Sequence, residues 1–236
     1  MSNSIKTALI TGGTKGIGYG VAEKLIKEGY KVAITGRNEA TVKEATAQLN
    51  QIKAGFALGV VADVRSFDSQ QDAVNQVIDT WGQLDVLIAN AGVGHFAPVE
   101  SLTVEQWQET IDVNLTGVFY SVKAALPALK DAKGYLITIA SLAGTNFFAN
   151  GSAYNASKFG LVGFTQAVML DVRHHGIKVT TIMPGSVATY FNNHEPSDKD
   201  AWKIQPEDIG EIVADLLKMN PRTLPSKIEV RPTMPK

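Results

Sequence analysis

The chain has 236 residues, 44 % of them hydrophobic, with a formal net charge of -1. Such a chain is apolar enough for a buried core and of a length for one α/β domain, and its charge gives no electrostatic basis for a nucleic-acid or membrane-surface partner. It has no cysteine, which excludes disulfides and thiolate metal sites and fits a reducing compartment.

The start, residues 1–6, is polar and leads straight towards a strand, without the apolar region of a signal peptide. No apolar run approaches the roughly 18 residues needed to cross a bilayer. A soluble, cytoplasmic protein without a metal site is expected. In chain order, apolar runs at 7–11, 31–35, 55–61, 84–89, 135–140, 178–183 and 227–230 predict seven strands. They are nearly continuous in Val, Ile, Leu and Ala, as strands covered on both faces require. Helical patterns near 16–29, 38–50, 66–81, 103–130, 152–175 and 206–219 separate them. Thr103 with Gln106 has the form of a capping box, and Pro206-Glu207-Asp208 suits a first helical turn. This alternation predicts a doubly wound parallel sheet with helices on both faces, one domain over 1–236. Residues 190–205 break the rhythm and are expected to form a substrate loop.

The first strand runs into Thr11-Gly12-Gly13-Thr14-Lys15-Gly16-Ile17-Gly18 and then a helix. Glycines let the backbone approach a pyrophosphate, and the helix offers it free N–H groups and a positive dipole end. Taken alone, the pattern is equally a tight turn. The second strand ends in Thr35-Gly36-Arg37-Asn38, where an NAD-preferring site wants a carboxylate for the ribose 2′-hydroxyl. Arg37 can instead pair with a 2′-phosphate and stack on adenine. Lys15 adds a second cation. Either one could be a solvated surface residue; together, with the acid missing, they favour NADP(H).

Tyr154-Asn155-Ala156-Ser157-Lys158 opens the fifth predicted helix, with Tyr154 and Lys158 on one face. A free tyrosine ionises near 10, too high for a base near neutrality. A neighbouring ammonium is expected to lower it, and the lysine can also hold a cofactor ribose. Alone, such a pair is usually a helix surface. Ser141, however, closes the strand before it, at the edge where open α/β sheets bind ligands. A hydroxyl there can donate to a substrate oxygen. Asn114 lies mid-helix beside Gly117, a poor place for an Asn unless it is buried and hydrogen-bonded.

These segments resemble the short-chain dehydrogenase/reductase family over residues 6–230. Thr11, Gly12, Gly16 and Gly18 match its Thr-Gly-x3-Gly-x-Gly motif, and Asn114, Ser141, Tyr154 and Lys158 match the order of its catalytic tetrad. Ala89-Asn90-Ala91-Gly92 resembles its Asn-Asn-Ala-Gly, with Ala89 replacing the first Asn, and 184–189 resembles its Pro-Gly segment. The resemblance implies a Rossmann fold and a proton relay in which Asn114 anchors a water continuing from Lys158. It puts Gly12, Thr14, Lys15, Gly16, Ile17 and Gly18 at the ribose and pyrophosphate. Arg37, Asp63 and Val64 would meet the adenosine; Asp63 could equally cap a helix. Asn90, Ala91 and Gly92 would contact the cofactor, with Tyr154 and Lys158 at the nicotinamide side. Pro184, Gly185, Val187 and Thr189 would flank the carboxamide, though Pro184-Gly185 also reads as a plain loop marker. A homotetramer or dimer through the helices around 103–130 and 152–175 is implied as well.

His95, Phe96, Asn146, Phe147, Phe148, Phe191 and Trp202 are expected to rim the pocket, suggesting a partly apolar small-molecule substrate. His174-His175 near a helix end suits a dipole contact better than a metal. The leading reading is reduction of a ketone or aldehyde by NADP(H), or the reverse. A 3-oxoacyl-acyl carrier protein reductase would need cations near the entrance for an acidic carrier, which Lys130, Lys133 and His175 offer thinly. A non-catalytic NADP-binding sensor would keep the glycines but could lose Tyr154 or Lys158; both are present.

Overall fold

A computed structural model describes residues 5–234; residues 1–4, most of the polar start, and 235–236 lie outside the described residues. Among the described residues seven strands form one sheet: β1 (Thr7–Ile10), β2 (Lys31–Gly36), β3 (Ala57–Val61), β4 (Val86–Ala89), β5 (Tyr135–Ile139), β6 (Lys178–Pro184) and β7 (Lys227–Val230). All pairings are parallel, in the order β3-β2-β1-β4-β5-β6-β7. Seven α-helices among the same residues connect them: α1 (Gly16–Lys27), α2 (Glu39–Ile52), α3 (Phe67–Trp81), α4 (Val104–Ile111), α5 (Gly117–Ala132), α6 (Ser152–Val172) and α7 (Pro206–Lys218). The fold is the expected doubly wound Rossmann sheet.

Strand side chains alternate between two cores, which is why the runs had to be apolar throughout. Ala8, Ile10, Val86 and Ile88 pack with residues of α1, α2 and α7. Leu9, Leu87 and Ala89 pack with α3, α5 and α6. Only the edge strand β7 alternates between exposed and half-buried residues. Among the described residues, no helix is long and apolar enough to cross a membrane.

The single helix expected over 103–130 is interrupted. Asp112–Thr116 forms a π-type turn between α4 and α5, carrying the fully buried Asn114. A Cβ on Gly117 would lie 2.9 Å from Val64 Cγ2 and 3.0 Å from Asp112 O. The missing side chain lets the helix swell there against the loop after β3. The Thr103–Gln106 capping box forms as the sequence predicts, and Pro206 opens α7, with Asp208 accepting the Gln205 N–H at 2.8 Å. The 190–205 loop contains two short 3₁₀ turns, Phe191–Asn193 and Asp198–Asp200. Asp200 pins it, accepting from Lys203 Nζ at 2.6 Å, His194 Nε2 at 2.6 Å and Ser197 N at 3.1 Å. These donors, Lys203 foremost, hold its carboxyl well below the usual range.

The strand order turns at β1, whose neighbours β2 and β4 connect in opposite directions. Loops leaving the carboxyl ends on either side diverge, and a crevice opens between them.

Candidate active site

The crevice has a volume of about 1370 Å³. That exceeds the roughly 300–1,000 Å³ of ordinary small-molecule pockets, leaving room for a dinucleotide and a second small molecule. Loops following β1, β4, β5 and β6 all contribute to its walls.

The first wall is backbone. Gly12 and Gly16 take left-handed φ values of 65° and 58°, conformations that cost other residues strain. Thr11 Oγ1 accepts from Asn90 N at 3.0 Å and Ala91 N at 3.1 Å. Asn90 Nδ2 returns bonds to Thr11 O at 2.9 Å and Gly12 O at 3.0 Å. The glycine loop is thereby stapled to the end of β4. Gly12, Thr14, Lys15, Gly16 and Ile17 face the crevice, as do Asn90, Ala91 and Gly92. Gly18 does not line it. A Cβ there would fall 2.5 Å from Asn90 Nδ2 and 2.6 Å from Gly12 O, so Gly18 is required beneath the loop for close packing. The left-handed glycine backbone and the start of α1, which no side chain caps, fit a pyrophosphate.

At one end, Lys15 and Arg37 are exposed along the lip. Asn38, the neighbour of Arg37, is occupied in capping α2, accepting the Thr41 N–H at 3.1 Å. Asp63 lines the crevice but caps no helix: that role belongs to Ser66, which accepts from Ser69 N at 3.2 Å. Asp63 instead takes Arg65 side-on, with Nη2–Oδ2 at 2.6 Å. That bond above all, with Arg37 adding a smaller pull, lowers its carboxyl pKa. Val64 lines the crevice beside it.

At the other end, β5 stops at Ile139, and Ser141 starts the Leu142–Gly144 turn by accepting the Ala143 N–H at 3.1 Å. Tyr154 and Lys158, on consecutive turns of α6, reach the same place; all three line the crevice. Lys158 is buried, its Nζ donating to Ile139 O at 3.1 Å and lying 5.7 Å from the centre of the Tyr154 ring. Burial drops Lys158 to about 8 and pushes Tyr154 up to about 12, partly offset by the Ser141 hydroxyl. This corrects the expectation that the ammonium lowers the phenol. In the protein alone desolvation dominates both groups, since neither charge is welcome there.

Asn114 lies behind this set and does not line the crevice. Its Oδ1 accepts from Val93 N at 2.8 Å, while Nδ2 donates to Val93 O at 2.8 Å and Ser157 Oγ at 3.0 Å. It clamps the loop after β4 to α6. The π-type turn is what aims it there. A Cβ on Gly92 would sit 3.4 Å from Asn114 Oδ1 and 3.8 Å from Lys158 Nζ, so the two groups converge on one spot without a direct bond between them. Pro184, Gly185, Val187 and Thr189 line the wall after β6, and Val187 bridges to Ile204 at the base of the 190–205 loop.

Of the expected rim, His95, Phe96, Asn146, Phe148, Phe191 and Trp202 face the crevice. Phe147 is 86 % exposed and points elsewhere. Two contributors had no signal in the sequence. Glu109 holds His95 at 2.8 Å from a helix one loop away. Asn155, next to Tyr154, ties down the 142–148 loop by donating to Ala143 O and Asn146 O, both at 2.8 Å. Polar residues in loops and first helical turns are common, and only the assembled fold distinguishes these two. Lys133 and His175 precede β5 and β6, at the amino ends of the strands, with Lys130 beside His175. That patch is therefore not at the entrance, contrary to expectation. His175 lies against His174, ring centres 3.9 Å apart and tilted by 42°, past the end of α6.

The sequence model described as short chain dehydrogenase matches residues 6–200. A trans-4-hydroxycyclohexanecarboxylate dehydrogenase of Sinomonas cyclohexanicum is 39 % identical over 189 residues, 78 % of this chain and 73 % of its own. An alcohol dehydrogenase from Thermococcus sibiricus, solved with 5-hydroxy-NADP, superposes with a TM-score of 0.91 at 28 % identity, covering 98 % of this chain and 99 % of its own. A 3-ketoacyl-(acyl-carrier-protein) reductase from Brucella melitensis, solved with NADH, gives 0.88 at 26 % identity and covers 97 % of each chain. With that match spanning most of the sequence and the crevice built where the sheet turns, the chain belongs to the short chain dehydrogenase family.

Proposed function

We propose that this oxidoreductase is NADP(H)-dependent, reducing a ketone or aldehyde to the alcohol, or running the reverse, with Tyr154 as the acid/base. The observation that carries the reading is the convergence of Ser141, Tyr154 and Lys158 on one end of a crevice whose other end presents the glycine loop, Lys15 and Arg37.

The cofactor would be held by Gly12, Thr14, Lys15, Gly16 and Ile17 at the phosphates, and by Arg37, Asp63 and Val64 at the adenosine. Asn90, Ala91 and Gly92 would support its middle, and Pro184, Gly185, Val187 and Thr189 its nicotinamide end; Gly18 acts from beneath by packing. Bound NADPH supplies the hydride that the carbonyl carbon accepts. Ser141 Oγ donates to the carbonyl oxygen, drawing negative charge onto it. Tyr154 Oη gives its proton to that oxygen as the alkoxide forms. Its raised pKa in the protein alone keeps this proton in place until charge develops nearby. Lys158, at about 8, exchanges a proton readily near neutrality and restores the phenol. Asn114 sets the backbone at Val93, and its convergence with Lys158 on Gly92 supports the water-relay role. In oxidation every transfer reverses.

NADP(H) is favoured over NAD(H) because no carboxylate ends β2, and Asn38 there is spent on a helix cap. The acyl-carrier alternative loses its docking argument, because Lys130, Lys133 and His175 sit at the sheet's opposite edge from the crevice. The sensor reading conflicts with an assembled Ser141, Tyr154 and Lys158. The chain would act as one domain with a substrate loop at 190–205. Exposed Trp107, Phe119 and Phe159 on α4, α5 and α6 favour a homodimer or homotetramer through those helices. A cysteine-free chain suits the cytoplasm.

Tyr154→Phe tests the central claim. It lowers kcat by about 10²–10⁴-fold, the usual worth of a positioned acid/base, while NADPH affinity by fluorescence titration stays within a few fold. Undiminished turnover would remove Tyr154 from its role.

A further inference from the structure

Tyr154 stands inside an aromatic enclosure. The Phe96 ring lies 5.3 Å from the Tyr154 ring at 67°, and the Phe191 ring 5.6 Å from it at 56°. Phe96 and Phe191 also meet each other at 6.2 Å, and Phe148 extends the wall 5.8 Å from Phe96. The three phenylalanines come from three different loops, after β4, after β5 and within 190–205. Gly94 makes the arrangement possible: a Cβ there would fall 2.5 Å from Phe191 Cζ and 3.0 Å from Phe96 Cζ. All three rings line the crevice, and Phe96 and Phe148 keep 37 % and 49 % of their surface uncovered. Apolar rings left open beside a reacting phenol are surface for a ligand to cover.

We infer that the substrate is a ring-bearing ketone or its alcohol, alicyclic or aryl, whose ring packs against Phe96, Phe148 and Phe191 while its oxygen reaches Tyr154 and Ser141. This rests on the oxidoreductase reading above. A compact ring can pack against the three walls together, and an aryl ring also meets them in the tilted arrangements aromatic groups prefer. It also has few rotors to freeze, whereas an open chain of equal carbon number must be ordered to make the same contacts. A flexible acyl thioester gains least, since its polar arm finds no use for phenyl walls.

Initial rates with NADPH on carbon-matched pairs, cyclohexanone against 2-hexanone and acetophenone against 2-octanone, test this. The ring member of each pair has at least tenfold higher kcat/KM. In Phe96→Ala and Phe191→Ala that ratio collapses towards one, the loss falling mostly on the ring ketone. Gly94→Ala, which displaces Phe191 without removing it, gives the same collapse if a truncation fails to fold, and retained NADPH binding verifies folding for each variant. Equal wild-type rates within the pairs, or a ratio unchanged in the variants, would overturn the inference and leave the oxidoreductase reading intact. Calorimetry of cyclohexanol and acetophenone on the NADP⁺-loaded protein separates the two claims. Binding that weakens in Phe96→Ala, with no carbonyl turned over, would keep the aromatic cage and sink the reductase. Neither binding nor turnover would sink both.

Discussion

The glycine-loop side of the crevice presents mainly backbone, whereas the Tyr154 end is made of side chains brought from loops far apart in the chain. At the first, two glycines with left-handed φ and a helix terminus form the cradle, stapled by Thr11 and Asn90. At the second, Ser141, Tyr154 and Lys158 meet Phe96, Phe148 and Phe191, and both titratable groups are displaced by burial. A backbone cradle depends little on neighbouring side-chain identity and tolerates solvent. An end that buries titratable groups raises the cost of every charge it holds.

The largest expected effect that would break this contrast comes from Lys158→Met. The ordinary lysine value of 10.5 falls to about 8 in the folded protein, which corresponds to a cost on the order of 3 kcal/mol for keeping the ammonium buried. Below pH 8 both folded and unfolded chains carry the proton, and the cost is fully present. Between about 8 and 10.5 only the unfolded chain carries it, so wild-type stability rises with pH relative to the variant. Lys158→Met should therefore abolish turnover yet unfold later in urea at pH 7, with the gain shrinking as pH approaches 10.5. A variant less stable than wild type at pH 7 would show that Lys158 is held by favourable contacts after all.

Arg37→Asp probes the opposite end. Losing a charge-assisted pairing worth about 1.5–3 kcal/mol should move the NADPH/NADH ratio of kcat/KM by roughly ten- to a hundredfold towards NADH, with unfolding unchanged because Arg37 is exposed. An unmoved ratio would leave the 2′-phosphate without its partner. Thr103→Ala, outside both ends, should cost about 1 kcal/mol through the lost α4 cap and leave kcat alone. A fall in kcat would mean that α4 communicates with the site through Glu109 and His95.

How much was legible follows the same division. Thr11 to Gly18 could be read because a strand, a glycine turn and a helix start are contiguous, and Tyr154 with Lys158 because helical spacing puts them on one face. The break at Asp112–Thr116 could not be bounded, although Asn114 and Gly117 hinted at it, because a π-type turn depends on what Val64 and Val93 demand from outside the helix. Gly18 was expected at the cofactor with the other glycines, and the need for a glycine there because a Cβ would meet Asn90 beneath the loop could not be read from the motif. Phe147 and Phe148 are indistinguishable as letters, yet one faces solvent and the other the crevice. The direction of the Tyr154 shift was misjudged because sequence shows the neighbouring charge but not the loss of water around both groups.

By itself, the sequence determined the parallel sheet, the glycine loop between β1 and α1 and the family, since each is written in local periodicity or in a short motif whose backbone geometry follows from its glycines. Only the tertiary structure decided which rings surround Tyr154, where Lys130, Lys133 and His175 lie relative to the entrance, and how far burial shifts Tyr154 and Lys158. Those depend on distances between residues remote in the chain and on excluded water, which are properties of packing and have no local code.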